Sequence, residues 1–367
     1  MYSQNDLDEA VSAGVLSADA ATAFRAHIDR QRASPAVDEE QFRLITGFND
    51  IFVSIAGAIL LFAVGWIGQS IGQSSGLTIG RDGPSPISPA AVAAVAWGLA
   101  LFFTAKRRMA LPSILLLLAF VGGVFGTAAL TIGLAVGGAF FDNNDSGVMV
   151  VLAVAAAVAA AGASLHWRRF RVPITVAAGA AAVAGILTSL LMAALGNDFE
   201  GQRNVLLATV LVLGVGVFLF AMRWDSSDRS RITRRSDVAF WLHLLAAPMI
   251  VHPVFTLLGL NDGRATIGEG LVVIVLYVVL AITALAVDRR ALLVSALAYV
   301  LFALNELFRQ FGAVELNVAL TALVIGSGLL LLSAFWHQAR AAIVDRLPGS
   351  LQDRLPTTHG QLAAVPA

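Results

Sequence analysis

The chain of 367 residues contains no cysteine and a single lysine, Lys106. The absence of cysteine excludes disulfides, thiolate zinc sites, iron–sulfur clusters and cysteine nucleophiles. A P-loop requires a lysine after its glycine-rich turn, and Lys106 has no such context. Two GxSxG matches, at 68–72 and 72–76, lie at the end of an apolar run rather than in a strand–turn–helix unit. We therefore predict a protein that is not an enzyme, with no catalytic residue, cofactor or metal site.

Charge is scarce as well, because only 13% of residues are charged while 58% are hydrophobic and the mean hydropathy is +0.80. Soluble domains contain about 25% charged residues, and a transmembrane helix needs about 20 apolar residues. The apolar runs predict an all-α, polytopic bundle of about ten spans. The predicted spans are 50–70, 90–105, 111–138, 147–166, 172–195, 204–222, 237–258, 267–287, 291–310 and 314–335.

Lys and Arg alternate between the segments that join these spans, since 20 of the 24 cations fall on one side. Cytoplasmic segments retain cations, so the pattern predicts that both termini are cytoplasmic. Arginine and alanine are abundant, as in GC-rich bacterial genomes, which indicates a bacterial inner membrane. The other side has only Arg81, Arg203, Arg264 and Arg309, and the cation-rich side has Arg25, Arg30, Arg32, Arg43, Lys106, Arg107, Arg108, Arg168, Arg169, Arg171, Arg223, Arg229, Arg231, Arg234, Arg235, Arg289, Arg290, Arg340, Arg346 and Arg354.

The third apolar run is too long for one ordinary span, because residues 111–141 would cover about 46 Å as a helix. Dividing it in two would put the later arginine clusters outside, so we predict one span that is tilted, protruding or broken.

The spans divide the chain into three predicted domains: a cytoplasmic helical head at 1–47, the ten-span domain at 48–336 and a cytoplasmic tail at 337–367. In the head, Gly14 is expected to end one short helix and Ser17 to cap the next.

A group of polar residues in the outer half of spans seven to ten is the candidate site. Glu306 and Arg309 are three residues apart and share a helix face. Ionisable residues within a membrane often mark a solute or proton pathway, although simple pairing at the interface remains an alternative. The candidate substrate or proton-pathway residues are His252, Glu269, Asn305, Glu306, Arg309, Glu315 and Asn317.

Two features of the cytoplasmic side have simpler interpretations. The loop 223–235 is expected to hold the topology and to contact anionic lipid headgroups. Asp225, Asp228 and Asp237 dilute its charge, which argues against nucleic acid as a partner. His243 is most simply interpreted as a helix–helix hydrogen bond. The predicted partners are the lipid bilayer and a small-molecule solute.

The terminal stretches DLDEAVSAGVLSADAATAFRAHI and AFWHQARAAIVDRLPGSLQDRLP resemble those of bacterial multi-span inner-membrane proteins of unknown function that begin with a cytoplasmic helical hairpin. The resemblance implies an architecture and no activity. Two functions stay open. One is a small-solute carrier with its polar site in the outer half of spans seven to ten. The other is a non-transporting scaffold or regulator that acts through its cytoplasmic head and tails.

If the outer polar group handles a solute, Glu306→Gln and Arg309→Ala will fail to complement a deletion strain. Each change removes one charge of the predicted pair. Solute flux and growth are the measurements. Full complementation by both variants in every condition would contradict a site at this position.

Overall fold

The computed structural model describes residues 9–24, 48–142, 144–196, 198, 201–229, 231, 233–258, 267–290, 293, 297, 301 and 317–356. Within these ranges the regular secondary structure is entirely helical, which confirms the predicted all-α class. The chain divides into two compact units, residues 1–42 with 358–367 and residues 43–357.

Eleven helices are defined in the described part of the second unit, besides a short 3-10 turn. Six of them, α1 and α3 to α7, are long and apolar enough to cross a membrane. A seventh is reached if Ala319–Ala334 and the helix after it, bent by 71°, form one span. The helices are α1 Phe48–Ser74, α2 Ile87–Phe103, α3 Ala110–Val136, α4 Asp145–Phe170, α5 Ile174–Leu195, α6 Arg203–Ser226, α7 Arg234–Leu257, α8 Ile267–Val287, α9 Asn317–Ala334, α10 Trp336–Val344 and α11 Gly349–Gln352.

Glycines allow α1 and α2 to pack closely. A Cβ at Gly68 would lie 2.9 Å from the Cα of Ser88, and one at Gly72 would overlap the Ser85 side chain. The Ser88 hydroxyl donates to the carbonyl of Gly65 at 2.8 Å. Because the facing residue number falls along α2 as it rises along α1, the two helices are antiparallel. Small residues at such contacts are typical of helix packing in lipid.

The overlong third run forms a single helix, α3, followed by a short turn. The helix ends at Val136, because Gly137 has a φ of +81°, which L side chains rarely adopt. A 3-10 turn, Gly138–Phe141, completes the run. The 27-residue helix is about 40 Å long, so the excess length is absorbed by a break near one end.

The alanine-rich helices α4 and α5 also pack through small residues. A Cβ at Gly179 would lie 3.9 Å from that of Ala163, and one at Gly185 would lie 3.7 Å from that of Ala156. Both distances are ordinary van der Waals contacts. Small residues therefore let α4 and α5 approach closely.

Helices α6 and α7 pack closely against each other at Gly214. A Cβ at Gly214 would lie 2.9 Å from the backbone carbonyl carbon of Met249. The helix α7 continues through both Pro248 and Pro253. Its buried face, with Leu242 and Ala246, joins an apolar core with α5 and α6.

The first unit is described over residues 9–24 only. Residues 9–12 are helical, Gly14 follows with a φ of +73°, and residues 18–24 are helical again. The hydroxyl of Ser17 accepts a hydrogen bond from the amide of Ala20 at 3.1 Å. The predicted helix end and cap are therefore confirmed.

Neighbouring glycines in α3 give a matched test of this packing. A Cβ at Gly123 would lie 2.7 Å from the carbonyl oxygen of Pro89, whereas one at Gly122 would meet nothing within 4 Å. We expect Gly123→Ala to reduce the free energy of unfolding in detergent by about 1–3 kcal/mol. Gly122→Ala should leave it unchanged or slightly higher, because alanine is the better helix former. Equal effects of the two changes would refute the α2–α3 contact.

Candidate functional site

A buried charge network lies where α6 ends, α7 begins and α8 ends, which we call the Arg-rich end. The last turn of α6 contains Asp225, and the first turns of α7 contain Ser236 and His243. Arg289 follows the end of α8 by two residues. Asp225 and His243 are fully buried, and Arg289 is 2% exposed.

We name Asp225, His243 and Arg289 the Asp225 triad. Nη2 of Arg289 donates to Oδ1 of Asp225 at 2.5 Å, and its Nε donates to Oδ2 at 3.3 Å. Nε2 of His243 lies 2.9 Å from the same Oδ2. Arg289 also donates to the backbone carbonyl of Ser236 at 3.1 Å. One carboxylate therefore joins α6 to α7 and to the end of α8.

The hydrogen bonds indicate which ring nitrogen of His243 carries the proton. An ionised carboxylate only accepts, so Nε2 carries the hydrogen that is donated to Asp225. Nδ1 of His243 is buried and has no hydrogen-bond partner among the described residues. The ring of Phe218 stands edge-on to the imidazole at 5.2 Å, and the Arg289 guanidinium lies 6.0 Å from the centre of the Phe240 ring. The imidazole is thus the group of the triad with an open acceptor position.

A second group, which we name the Asp288 cluster, lies beside the triad and contains Asp288, Arg231, Trp336 and Arg340. Arg231 Nη1 donates to Oδ2 of Asp288 at 2.7 Å, and Trp336 Nε1 donates to Oδ1 at 2.7 Å. Nε of Arg340 is 3.8 Å from Oδ1. Asp288 has a φ of +58°, the left-handed conformation that commonly follows a helix end. The cluster therefore fixes α10 against the end of α8.

Arg231 also terminates α8. Its Nη2 donates to the carbonyls of Val287 and Asp288 at 3.2 and 3.1 Å, which satisfies acceptors left open at the helix end. Burial lowers the pKa of the Arg231 guanidinium, and the positive charge of Arg289 acts in the same direction, while the Asp288 carboxylate opposes both. Arginine nevertheless stays protonated in proteins, so the cluster retains its charges.

The chain after α10 packs against the Arg-rich end. Arg229 donates through Nε to the carbonyl of Leu355 at 2.9 Å and through Nη2 to that of Gln352 at 3.3 Å. Arg340 donates to the carbonyl of Pro356 at 2.7 Å. Leu355 packs in a buried apolar cluster with Val287 and Val344. Residues 336–356 are therefore part of the same assembly as α6, α7 and α8.

Another buried histidine, His166, lies near the end of α4. The rings of Phe170, Phe120 and Trp97 surround it at 4.6, 5.8 and 6.1 Å. Its Nδ1 is 3.3 Å from the hydroxyl of Thr175, and its Nε2 is buried without a partner in the described ranges. No carboxylate contacts this ring within the part of the chain that the structure describes, so no counterpart of the Asp225 triad occurs there.

The residues predicted from sequence are mostly not tested. Asn305, Glu306, Arg309 and Glu315 lie outside the described residues. His252 lies in α7 with an exposed side chain. The first turn of α8 contains Glu269, and Asn317 begins α9, but neither side chain is among those described. The outer polar group therefore stays a prediction.

The network itself was missed, apart from the helix–helix hydrogen bond of His243, which is confirmed. The sequence pattern presents Arg231 and Arg289 as topology signals and Asp225 as a diluting charge. The lipid interpretation of the loop 223–235 is wrong for Arg229 and Arg231, because both donate to protein groups. The available signal was acidic residues at span ends, Asp225 and Asp288, inside cation-rich segments.

Two further findings concern metal binding and the relation of the chain to known proteins. No cluster of three or more histidine, aspartate or glutamate side chains able to hold a metal ion occurs among the residues that are described. Comparison with known proteins assigns the chain to no family, because no family model, curated protein or solved structure matches it. The interpretation therefore rests on the geometry of this chain.

Asp225→Asn should be strongly destabilising, because it leaves the Arg289 charge buried without its counter-ion. We expect a loss of about 3–5 kcal/mol of unfolding free energy, and a smaller loss when Asp225→Leu is combined with Arg289→Met. Unfolding in detergent measures both. The control is Asp345→Asn, an exposed acid at the C-terminal end of α10, for which about 1 kcal/mol or less is expected. Equal losses for the two asparagine variants would contradict the triad.

Proposed function

We propose that the protein is a small-solute carrier of about ten spans in a bacterial inner membrane, with both termini in the cytoplasm. The alternation of cations supports this orientation. With it, the Arg-rich end faces the cytoplasm. The Asp225 triad and the Asp288 cluster then form a closed cytoplasmic gate.

The burial of Asp225 carries this proposal. Charges inside a bundle are costly, and apolar residues of similar volume would often join the same helices as stably or more so. Ion pairs have a property that apolar packing lacks, because their partners regain hydration when the pair opens. A carrier must open alternately to the two sides of the membrane, and a charge network is suited to a closure that is reversed in every cycle.

The predicted polar group, which includes Glu269, Glu306 and Arg309, belongs to the opposite half of the bundle. With the cytoplasmic gate closed, a solute would reach that group from the outside. Opening of the Asp225 triad would then connect it to the cytoplasm.

The second function, a regulator that acts through its cytoplasmic segments, has one specific observation in its favour. Arg229 and Arg340 hold the backbone of residues 352–356 against the bundle. A protein bound to the tail would therefore act directly on the ends of α6 and α8. This function predicts a network that stays closed unless a partner is present.

The absence of cysteine permits a direct test of the gate. Ala247 is fully buried and lies one helical turn beyond His243. It packs in a buried apolar cluster that includes residues of α8. We expect Ala247→Cys to react slowly with a membrane-impermeant thiol reagent in inside-out vesicles. Adding Asp225→Asn should accelerate labelling at least about tenfold, because the open population rises.

Controls separate opening from unfolding. Asp345→Asn should leave the labelling rate of Ala247→Cys unchanged, and a cysteine at the exposed Ser226 should react equally in every background. Arg289→Lys keeps the charge but loses the two-point hydrogen bond, and it should give intermediate labelling in a monodisperse protein. Slow labelling in folded Asp225→Asn and Arg289→Lys proteins would reject the gate and favour the regulator.

A further inference from the structure

Six cations at the ends of α2 and α4 lie outside the charge network. Three lie in the loop between α2 and α3, and three lie at the junction of α4 and α5. All six side chains are exposed. We name them the cationic platform: Lys106, Arg107, Arg108, Arg168, Arg169 and Arg171.

The platform has no acidic counter-charge nearby in the sequence. Residues 83–141 and 146–197 contain neither aspartate nor glutamate. Within the described part of the chain, none of the six cations forms an ion pair with a carboxylate. By contrast, Arg231 and Arg289 are each paired with a buried aspartate. Among the described residues, no carboxylate therefore neutralises the charge of the platform.

Aromatic contacts bring the two halves of the platform together. The ring of Trp97 in α2 packs against that of Phe170 at the end of α4, with centroids 5.1 Å apart. Phe103, which ends α2, packs against the same apolar cluster as Phe170. Because Phe103 and Phe170 adjoin the two cationic segments, both segments lie at the same end of the bundle, beside one packed aromatic group.

The platform combines charge with one exposed and one half-buried aromatic ring. Phe102 is 42% exposed, with Lys106 Nζ 5.9 Å and Arg107 Cζ 5.5 Å from its ring centre. The Arg169 guanidinium lies 5.4 Å from the ring of Phe170. Aromatic rings with cations above them suit the boundary between acyl chains and headgroups. A free anion in water would not require the apolar part of this surface.

We propose that the cationic platform binds anionic phospholipid headgroups of the adjoining leaflet. Guanidinium groups donate two hydrogen bonds to phosphate oxygens, and clustered cations beside a span attract anionic lipid. The rings of Phe102 and Phe170 would contact the upper acyl chain. This inference does not depend on the carrier function.

The test is the lipid retained by the full chain. The protein is reconstituted in equal parts of phosphatidylglycerol and phosphatidylcholine and then extracted with its surrounding lipid by a styrene–maleic acid copolymer. We expect the wild type to enrich phosphatidylglycerol about threefold over the bulk, and high salt to reduce this enrichment. Arg107→Gln, Arg168→Gln and Arg169→Gln together should return the ratio to that of the bulk.

A matched triple variant supplies the control. Arg223, Arg234 and Arg235 are also exposed at the Arg-rich end, but Asp228 and Asp237 are close in sequence. Their replacement by glutamine should leave the enrichment intact, and inorganic phosphate should displace no more lipid than sodium chloride of the same ionic strength. The proposal is overturned if the wild type shows no enrichment, if both triple variants lose it equally, or if phosphate abolishes it.

Discussion

Asp225 is a carboxylate removed entirely from water, and the second half of the protein is organised around its charge. Such a group remains ionised only with a cation beside it, which Arg289 provides from the end of α8. His243 fills the remaining acceptor position from α7. Because the partners come from three helices, none of these ends can move independently while the triad is intact. Asp288 repeats this arrangement with Arg231 and Trp336 and extends it to α10.

The two halves of the bundle are therefore held together by different forces. Helices α1 to α5 meet through glycine and alanine, so their contacts are van der Waals packing over short distances. Their cations remain on the surface, where they are available to the membrane. In the second half, Arg231, Arg289 and Arg340 turn inward onto aspartates. A structure that is rigidly packed on one side and joined by ion pairs on the other suits a protein in which one part moves against the other.

Sequence alone predicted the helical class and the cap at Ser17, because each depends on local hydropathy or local hydrogen bonding, and the alternation of cations predicted a single span in the third run. It did not predict the Asp225 triad. Residues 225, 243 and 289 are far apart in the chain, and each has an ordinary local explanation as a loop charge or helix contact. Whether an arginine faces lipid or an aspartate depends on how its helix is rotated. A count of the cations in each segment carries no information about this rotation. The outer group around Glu306 is still a prediction.

The central claim is that the Asp225 carboxylate holds the Arg-rich end closed. The most direct measurement is the distance between spin labels at Ser226→Cys and Gln338→Cys, two exposed positions on α6 and α10, determined by pulsed electron paramagnetic resonance in lipid. We predict one narrow distance distribution with Asp225 present and a broader, longer distribution in the Asp225→Asn background. Identical narrow distributions in the two backgrounds would contradict the claim, because the ends would then stay together without the carboxylate.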